Sequence, residues 1–126
     1  ITSHEEAREF LRAGNLGVRA MATIHGNSAW SALVRLADLA VREGVPLRSI
    51  REQIADTLDL VIHMRRHHRQ RYIAEVVWVR GVDGEGRFLL EPVYGVGQAH
   101  EQELAAHLAP LREDVAPESM LEEVAI

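Results

Sequence analysis

Lysine is missing from this chain: all 14 of its Lys-plus-Arg positions are arginine. A phosphate-cradling loop needs a glycine-rich turn followed by Gly-Lys-Ser/Thr, with the lysine reaching the β- and γ-phosphates. No segment here can play that part. Cysteine is also absent, which excludes a disulfide framework, a thiolate metal site and a cysteine nucleophile, and makes a cytosolic setting the plain expectation. No apolar run approaches the roughly 20 residues of a membrane-spanning helix. Aromatic residues make up only 5% of the chain. Phe10, Trp30, Trp78 and Phe88 fall at core-facing spacings, which suits packing better than a base-stacking platform. The opening Ile1-Thr2-Ser3-His4-Glu5-Glu6 is neither a signal peptide nor an initiator methionine, so the chain reads as cut from something longer.

What is present suits one ordinary domain. The 126 residues are 47% hydrophobic and 26% charged, normal for a globular protein. Charge is uneven along the chain. Residues 1–98 carry 13 arginines against 12 acids, whereas residues 99–126 carry Arg112 against seven acids and account for the net −5. That balance argues against a dedicated nucleic-acid binder. It also divides the chain into a body, residues 1–97, and an acidic tail, residues 98–126, expected to be helical.

Ser3 with Glu6 three positions later is a capping box and predicts a helix over 4–13, with Ala7, Phe10 and Leu11 buried. Gly14-Asn15-Leu16-Gly17 stops it. Ala20-Met21-Ala22-Thr23-Ile24 is uncharged, as expected of a strand buried on both faces between parallel neighbours. Asn27 or Ser28 caps a second helix to about Glu43, with an apolar stripe from Trp30 to Val41. Pro46 opens a third helix to about Leu58. The period then changes: 60–64, 71–79 and 87–91 read as strands, with turns over 65–70 and 81–86, forming an antiparallel meander. A helix is expected from about His100 to Glu113, and a last turn from Pro117. The short strand at 20–24 would need neighbours that this chain does not supply, so the isolated chain is expected to be marginal or self-associating.

The stretch Glu6-Ala7-Arg8-Glu9-Phe10-Leu11-Arg12-Ala13-Gly14-Asn15-Leu16-Gly17, followed by Ala22-Thr23-Ile24-His25-Gly26-Asn27-Ser28, resembles the secretion-superfamily ATPases. These are the hexameric motors of type II and type IV secretion and pilus assembly. In them, a helix opening with Glu-Ala and ending in Asn-x-Gly leads into the signature Thr-x-His-Ala-Asn-Ser, the His box. Leu47 to Ala55, Leu58 to His63 and Arg71 to Val79 look like the tight-adherence pilus and conjugation branches. The resemblance covers roughly residues 1–94 in order. It implies an α/β fold: the C-terminal half of a RecA-like P-loop NTPase domain, a mixed sheet with the meander at its edge. It implies ATP with Mg2+ in the complete motor, held between subunits of a hexameric ring at the cytoplasmic face of an inner membrane, with secretion or pilus components as partners. His25 would be the γ-phosphate sensor, and Thr23 and Asn27 would flank it at the nucleotide. The chain departs from the pattern where Gly17-Val18 stands for Gly-His and where Gly26 replaces alanine. The Walker B acid would lie at or before Ile1. Hydrolysis by this segment alone is therefore not expected. An alternative is a non-catalytic interaction module derived from such a motor.

The residues by themselves leave more open. His25 follows a buried strand, where α/β proteins place ligand-contacting groups, and an imidazole can donate to a phosphate oxygen. It can equally help to cap the next helix. Asn27 and Ser28 are most simply N-caps. A hydrolase triad on Ser28 lacks the Gly-x-Ser-x-Gly elbow. His63 and His67, four apart, would face one side of a helix as metal ligands, but this segment reads as strand and turn. Arg65, Arg66, Arg69 and Arg71 make one basic turn in an acidic protein, most simply a solvated hairpin.

Overall fold

The computed structural model describes residues 1–95 and 123–126. Its elements are α1 (His4–Asn15), β1 (Thr23–His25), α2 (Ala29–Ala40), α3 (Leu47–Thr57), β2 (Leu60–His67), β3 (Gln70–Val82), β4 (Phe88–Gly95) and β5 (Glu123–Ala125). The expected helix over 100–113 and the turn after Pro117 lie outside the described residues.

Local chemistry sets the helix boundaries. Ser3 Oγ accepts from the Glu6 amide at 3.2 Å, and the Glu6 carboxylate accepts from the Ser3 amide at 3.2 Å, the reciprocal pair read from the sequence. Two bonds close the other end of α1, Val18 N–H to Ala13 O and Gly17 N–H to Gly14 O. They require a left-handed residue at Gly17, whose φ is +80°. Gly14 and Asn15 extend the helix two residues beyond its expected end because this cap forms after them. Pro46 stands at the N-cap of α3 and presets its φ.

The three helices pack together against one face of the sheet. Ala7 and Leu11 of α1, Leu33, Leu36 and Ala37 of α2, and Ile50 and Ile54 of α3 share one core with Ile24, Val61, Val77, Val79 and Phe88 of the strands. Two residues of the expected apolar stripe are less buried than their spacing suggests. Trp30 is 38% exposed, its ring edge-on to Phe88 with centroids 6.1 Å apart, and Val41 lies beyond the end of α2.

The sheet order is β1-β5-β2-β3-β4. β2, β3 and β4 form the expected antiparallel meander, but the strands run further into the turns. β2 continues through Arg65, Arg66 and His67, and only His68 and Arg69 remain in the turn. His68 takes a φ of +54°, the left-handed geometry that lets a two-residue hairpin match strand twist. Ala74 is an extra residue in β3, placed where the register shifts between His63 opposite Glu75 and Met64 opposite Ile73.

β1 differs most from its expected form. It comprises 23–25 rather than 20–24, and it is exposed, buried, exposed along its length. It is not buried on both faces. Its polar residues Thr23 and His25 alternate around Ile24, a period-two pattern that suits a strand with one open face. Met21, expected in the strand, is 83% exposed. The partner of β1 is not parallel either. β5, from the end of the acidic segment, lies antiparallel to β1 on one side and to β2 on the other. The tail therefore ends in a strand, and Ile126 joins the core. β1 remains an outer strand of the sheet.

Candidate functional site

The residues singled out by the sequence sit at the end of β1 and the start of α2. Thr23 and His25, two apart on a strand, share the face turned away from the helices, while Ile24 points into the core. Both are exposed. The chain then turns through Gly26 and Asn27. A Cβ on Gly26 would sit 3.0 Å from N, Cα and Cβ of Ala32, so this turn lies flat against the second turn of α2. Alanine at this position needs the loop or the helix to yield by a few tenths of an ångström.

Ser28 is the N-cap of α2. Its Oγ accepts from the Ser31 amide at 3.0 Å, and Ser31 Oγ accepts from the Ser28 amide at 2.9 Å. A third contact comes from the sheet: Glu75 Oε2 on β3 accepts from the Ala29 amide at 3.2 Å. The same oxygen lies 3.5 Å from Nδ1 of His63, which stands opposite Glu75 on β2 and is only 3% exposed. A carboxylate at a helix N-terminus is stabilised by the positive end of the helix dipole. Glu75 thus joins three elements, β2, β3 and α2, through one side chain.

Beside this junction is an open cavity of about 350 Å3, lined by Asn27, His63, Arg65, Glu75, Pro92 and Tyr94 among others. The structure therefore separates the three predicted site residues. Asn27 lines the cavity, whereas Thr23 and His25 do not. Sequence reasoning missed Glu75 and the role of His63. The available signal was a polar residue inside the apolar part of each of two adjacent strands, His63 between Ile62 and Met64 and Glu75 between Ala74 and Val76.

The geometry limits what this site can hold. Two of the first-turn amides of α2 already have side-chain acceptors, Ala29 in Glu75 and Ser31 in Ser28. His63 and His67 lie on a strand, where four residues span roughly 13 Å, too far for one metal ion. Among the described residues, no group of three or more His, Asp or Glu is placed to hold a metal. No helix among them is long and apolar enough to cross a membrane.

Residues 1–103 match the family model described as type II/IV secretion system protein. The chain belongs to that family. No curated protein and no solved structure matches it. The match spans all three helices, β1 and the whole meander, so the elements that build the site fall within the family's own pattern.

Proposed function

We propose that this chain is the C-terminal part of the RecA-like motor domain of a secretion or pilus-assembly ATPase, and that His25 reports the state of a bound nucleotide to the sheet and helices behind it. The supporting observation is the family match together with the placement of His25, exposed at the C-terminal end of a strand and one turn before a helix. Ligands of open α/β sheets bind outside the carboxyl ends of strands. ATP with Mg2+ would be held largely by parts that carry the missing lysine, and the nucleotide's own phosphates supply the charge that His25 reads. Within this chain, His25 donates a hydrogen bond to a phosphate oxygen, Thr23 lies beside it on the same face, and Asn27 stands at the mouth of the loop. Gly26 and Ser28 fix that loop on α2, so a displacement of His25 is passed to the helix rather than absorbed. In this reading the complete motor is a hexameric ring at the cytoplasmic face of the inner membrane, working on pilus or secretion components.

The test is His25→Ala in the complete motor. Losing one donor to a developing charge lowers turnover by roughly 10- to 1000-fold, while nucleotide affinity and thermal stability change little. An early-melting variant that hydrolyses normally at low temperature would remove the sensor role. The segment alone should show no turnover and no better than about millimolar nucleotide affinity, one charge-assisted hydrogen bond being the most it contributes. Tight binding measured by calorimetry would refute the reading. The exposed apolar residues Leu16, Val18 and Met21 favour a second reading, an interaction module without catalysis.

A further inference from the structure

The part of α1 from Arg8 onward, the segment that follows α2 and the middle of α3 surround an open cavity of about 370 Å3. Arg8, Arg12, Asn15, Arg42 and Gln53 line it, and the buried Leu11 adds an apolar wall. Among the described lining residues Glu9 is the one carboxylate, so three guanidinium groups against one acid give the cavity a net charge of +2. Each arginine is already aimed by a partner. Arg8 Nη2 donates to the Val41 carbonyl at 2.5 Å, Arg42 Nη2 to Gln53 Oε1 at 3.0 Å, and Arg12 Nε to Glu9 Oε2 at 3.2 Å. A guanidinium carries five N–H donors, so these bonds orient the groups without exhausting them. Elsewhere Arg48, Arg80 and Arg87 each face a carboxylate. Arg8 and Arg42 bond neutral oxygens instead, and among the described residues neither pairs with an acid.

Helix-end chemistry accounts for two of these arginines singly. Arg8 covers the Val41 carbonyl at the end of α2, and Arg12 complements the dipole in the last turn of α1. It does not account for their meeting. Arg8 and Arg12 stand four apart on α1, where like charges repel, and Arg42 is brought to the same cavity from a separate segment. Such a cluster is most stable with an anion inside it. A single carboxylate would offset half of the charge. A phosphate group carries about −1.5 to −2 near pH 7, which matches the cavity, and its oxygens fit the guanidinium fork in pairs. The volume lies at the lower end of small-molecule sites, and it leaves room beside Leu11 for a small organic group.

We infer that the cavity between α1, α2 and α3 is a phosphate-binding site, which takes the phosphate dianion either free or at the end of a small phosphomonoester. Arg12 and Arg42 grip its oxygens, Arg8 adds charge beside them, and the Asn15 side chain stands ready to donate. The arginines are exposed and their field is screened by salt, so the expected Kd is on the order of a millimolar. The inference does not depend on the nucleotide reading of His25.

Arginine Nε–H signals of the full chain read the site directly, by NMR at fixed ionic strength as inorganic phosphate replaces chloride. The signals of Arg8, Arg12 and Arg42 should shift together and saturate, while those of Arg48 and Arg80 stay in place. Arg12→Gln with Arg42→Gln should weaken binding by about 10-fold or more, two charge-assisted bonds being lost. Glu9→Gln should tighten it several-fold, because it releases Arg12 and removes a carboxylate that repels the ligand. Ribose 5-phosphate separates the two sources. Tighter binding than inorganic phosphate assigns a carried phosphate, and equal or weaker binding assigns the free ion. Shifts that never saturate, or that are as large at Arg48 and Arg80, would show an ion atmosphere only and overturn the inference. So would unchanged binding in the folded double variant. If that variant does not fold, Glu9→Gln decides, and weaker or unchanged binding there refutes the site.

Discussion

Replacing Gly14 by alanine sets two effects of known sign against each other at the α1–α3 contact. Gly14 lies in the last turn of α1, where alanine gains up to about 1 kcal/mol in helix propensity. A Cβ at this position would lie 2.1 Å from Cγ2 and 3.4 Å from Cβ of Thr57. Unbonded carbons rest about 3.5–4.0 Å apart, so roughly 1.5 Å of overlap must be relieved. Thr57 has little freedom to relieve it. It is branched at Cβ and stiff at χ1 in a helix, and its hydroxyl lies 2.7 Å from the Gln53 carbonyl and 3.1 Å from Asn15 Oδ1. Rotating the side chain gives up a hydrogen bond worth about 1 kcal/mol, while moving the helices apart costs about 1–3 kcal/mol. The collision wins. Gly14→Ala should destabilise the fold by about 1–2 kcal/mol, a fall of roughly 4–8 °C in Tm. Thr57→Ser removes Cγ2 and keeps the hydroxyl. In that background Gly14→Ala should be neutral or stabilising by up to about 1 kcal/mol, the helix-propensity gain reappearing. Denaturant unfolding of the four proteins, followed by circular dichroism, gives the coupling between the two sites. Equal loss from Gly14→Ala in both backgrounds would show that the α1–α3 contact is not where the strain arises.

Glu75→Ala leaves the Ala29 amide and the buried His63 without the carboxylate between them, and should cost about 1–3 kcal/mol in chemical unfolding. Glu75→Gln, which keeps an acceptor, should cost less. His68→Gly should stabilise by about 0.5–1 kcal/mol, because the φ of +54° strains a side-chain-bearing residue and not glycine; no gain would mean that the hairpin tip bears no such strain. Among the described residues, three carboxyls are held below their usual range. Glu6 is held by the Thr2 amide first, then by the Thr2 hydroxyl and Ser3 amide; Asp83 by the Arg87 amide; and Glu91 by its bond from Arg80. A depressed folded-state pKa gives stability that is present above the unfolded value and is lost as pH falls through the folded one. Stability should therefore decline as pH drops below about 4, and Glu6→Gln with Asp83→Asn should flatten that decline.

The parts of the fold legible in the sequence are those decided within a few residues. The Ser3–Glu6 box, the Gly17 stop, Pro46 and the change of period after Asp59 each act over one turn of chain, and the helices and meander follow them. β1 was misread because an uncharged run looks the same whether it enters a strand or a loop. Ala20 and Met21 carry no charge, but Met21 is exposed, and only the alternation of Thr23, Ile24 and His25 marks the true strand. β5 was illegible for a stronger reason. Glu123-Val124-Ala125 has no strand pattern of its own, and it is a strand because β1 and β2 leave a gap of one strand's width. That gap exists only after the chain between residues 22 and 67 has folded.

The site divides in the same way. His25 stands out in the sequence because its neighbours form an ordered signature, and the structure exposes it at the end of β1. Glu75 stands out only in three dimensions, since its partners are 12 residues away at His63 and 46 away at Ala29. Its position also bears on how a signal would travel. His25 and the N-cap Ser28 lie three residues apart on one loop, and Glu75 fixes the helix that follows that loop to β2 and β3 of the meander. In the proposed reading, a hydrogen bond made or lost at His25 would be passed through this loop to α2, whose N-terminus is tied to Ser28, Ser31 and Glu75. If that restraint is what makes His25 effective in the complete motor, Glu75→Gln should lower turnover there without changing nucleotide affinity, and Glu75→Ala should do so more strongly. A Glu75 variant that unfolds more readily yet turns over normally when folded would confine this junction to stability alone.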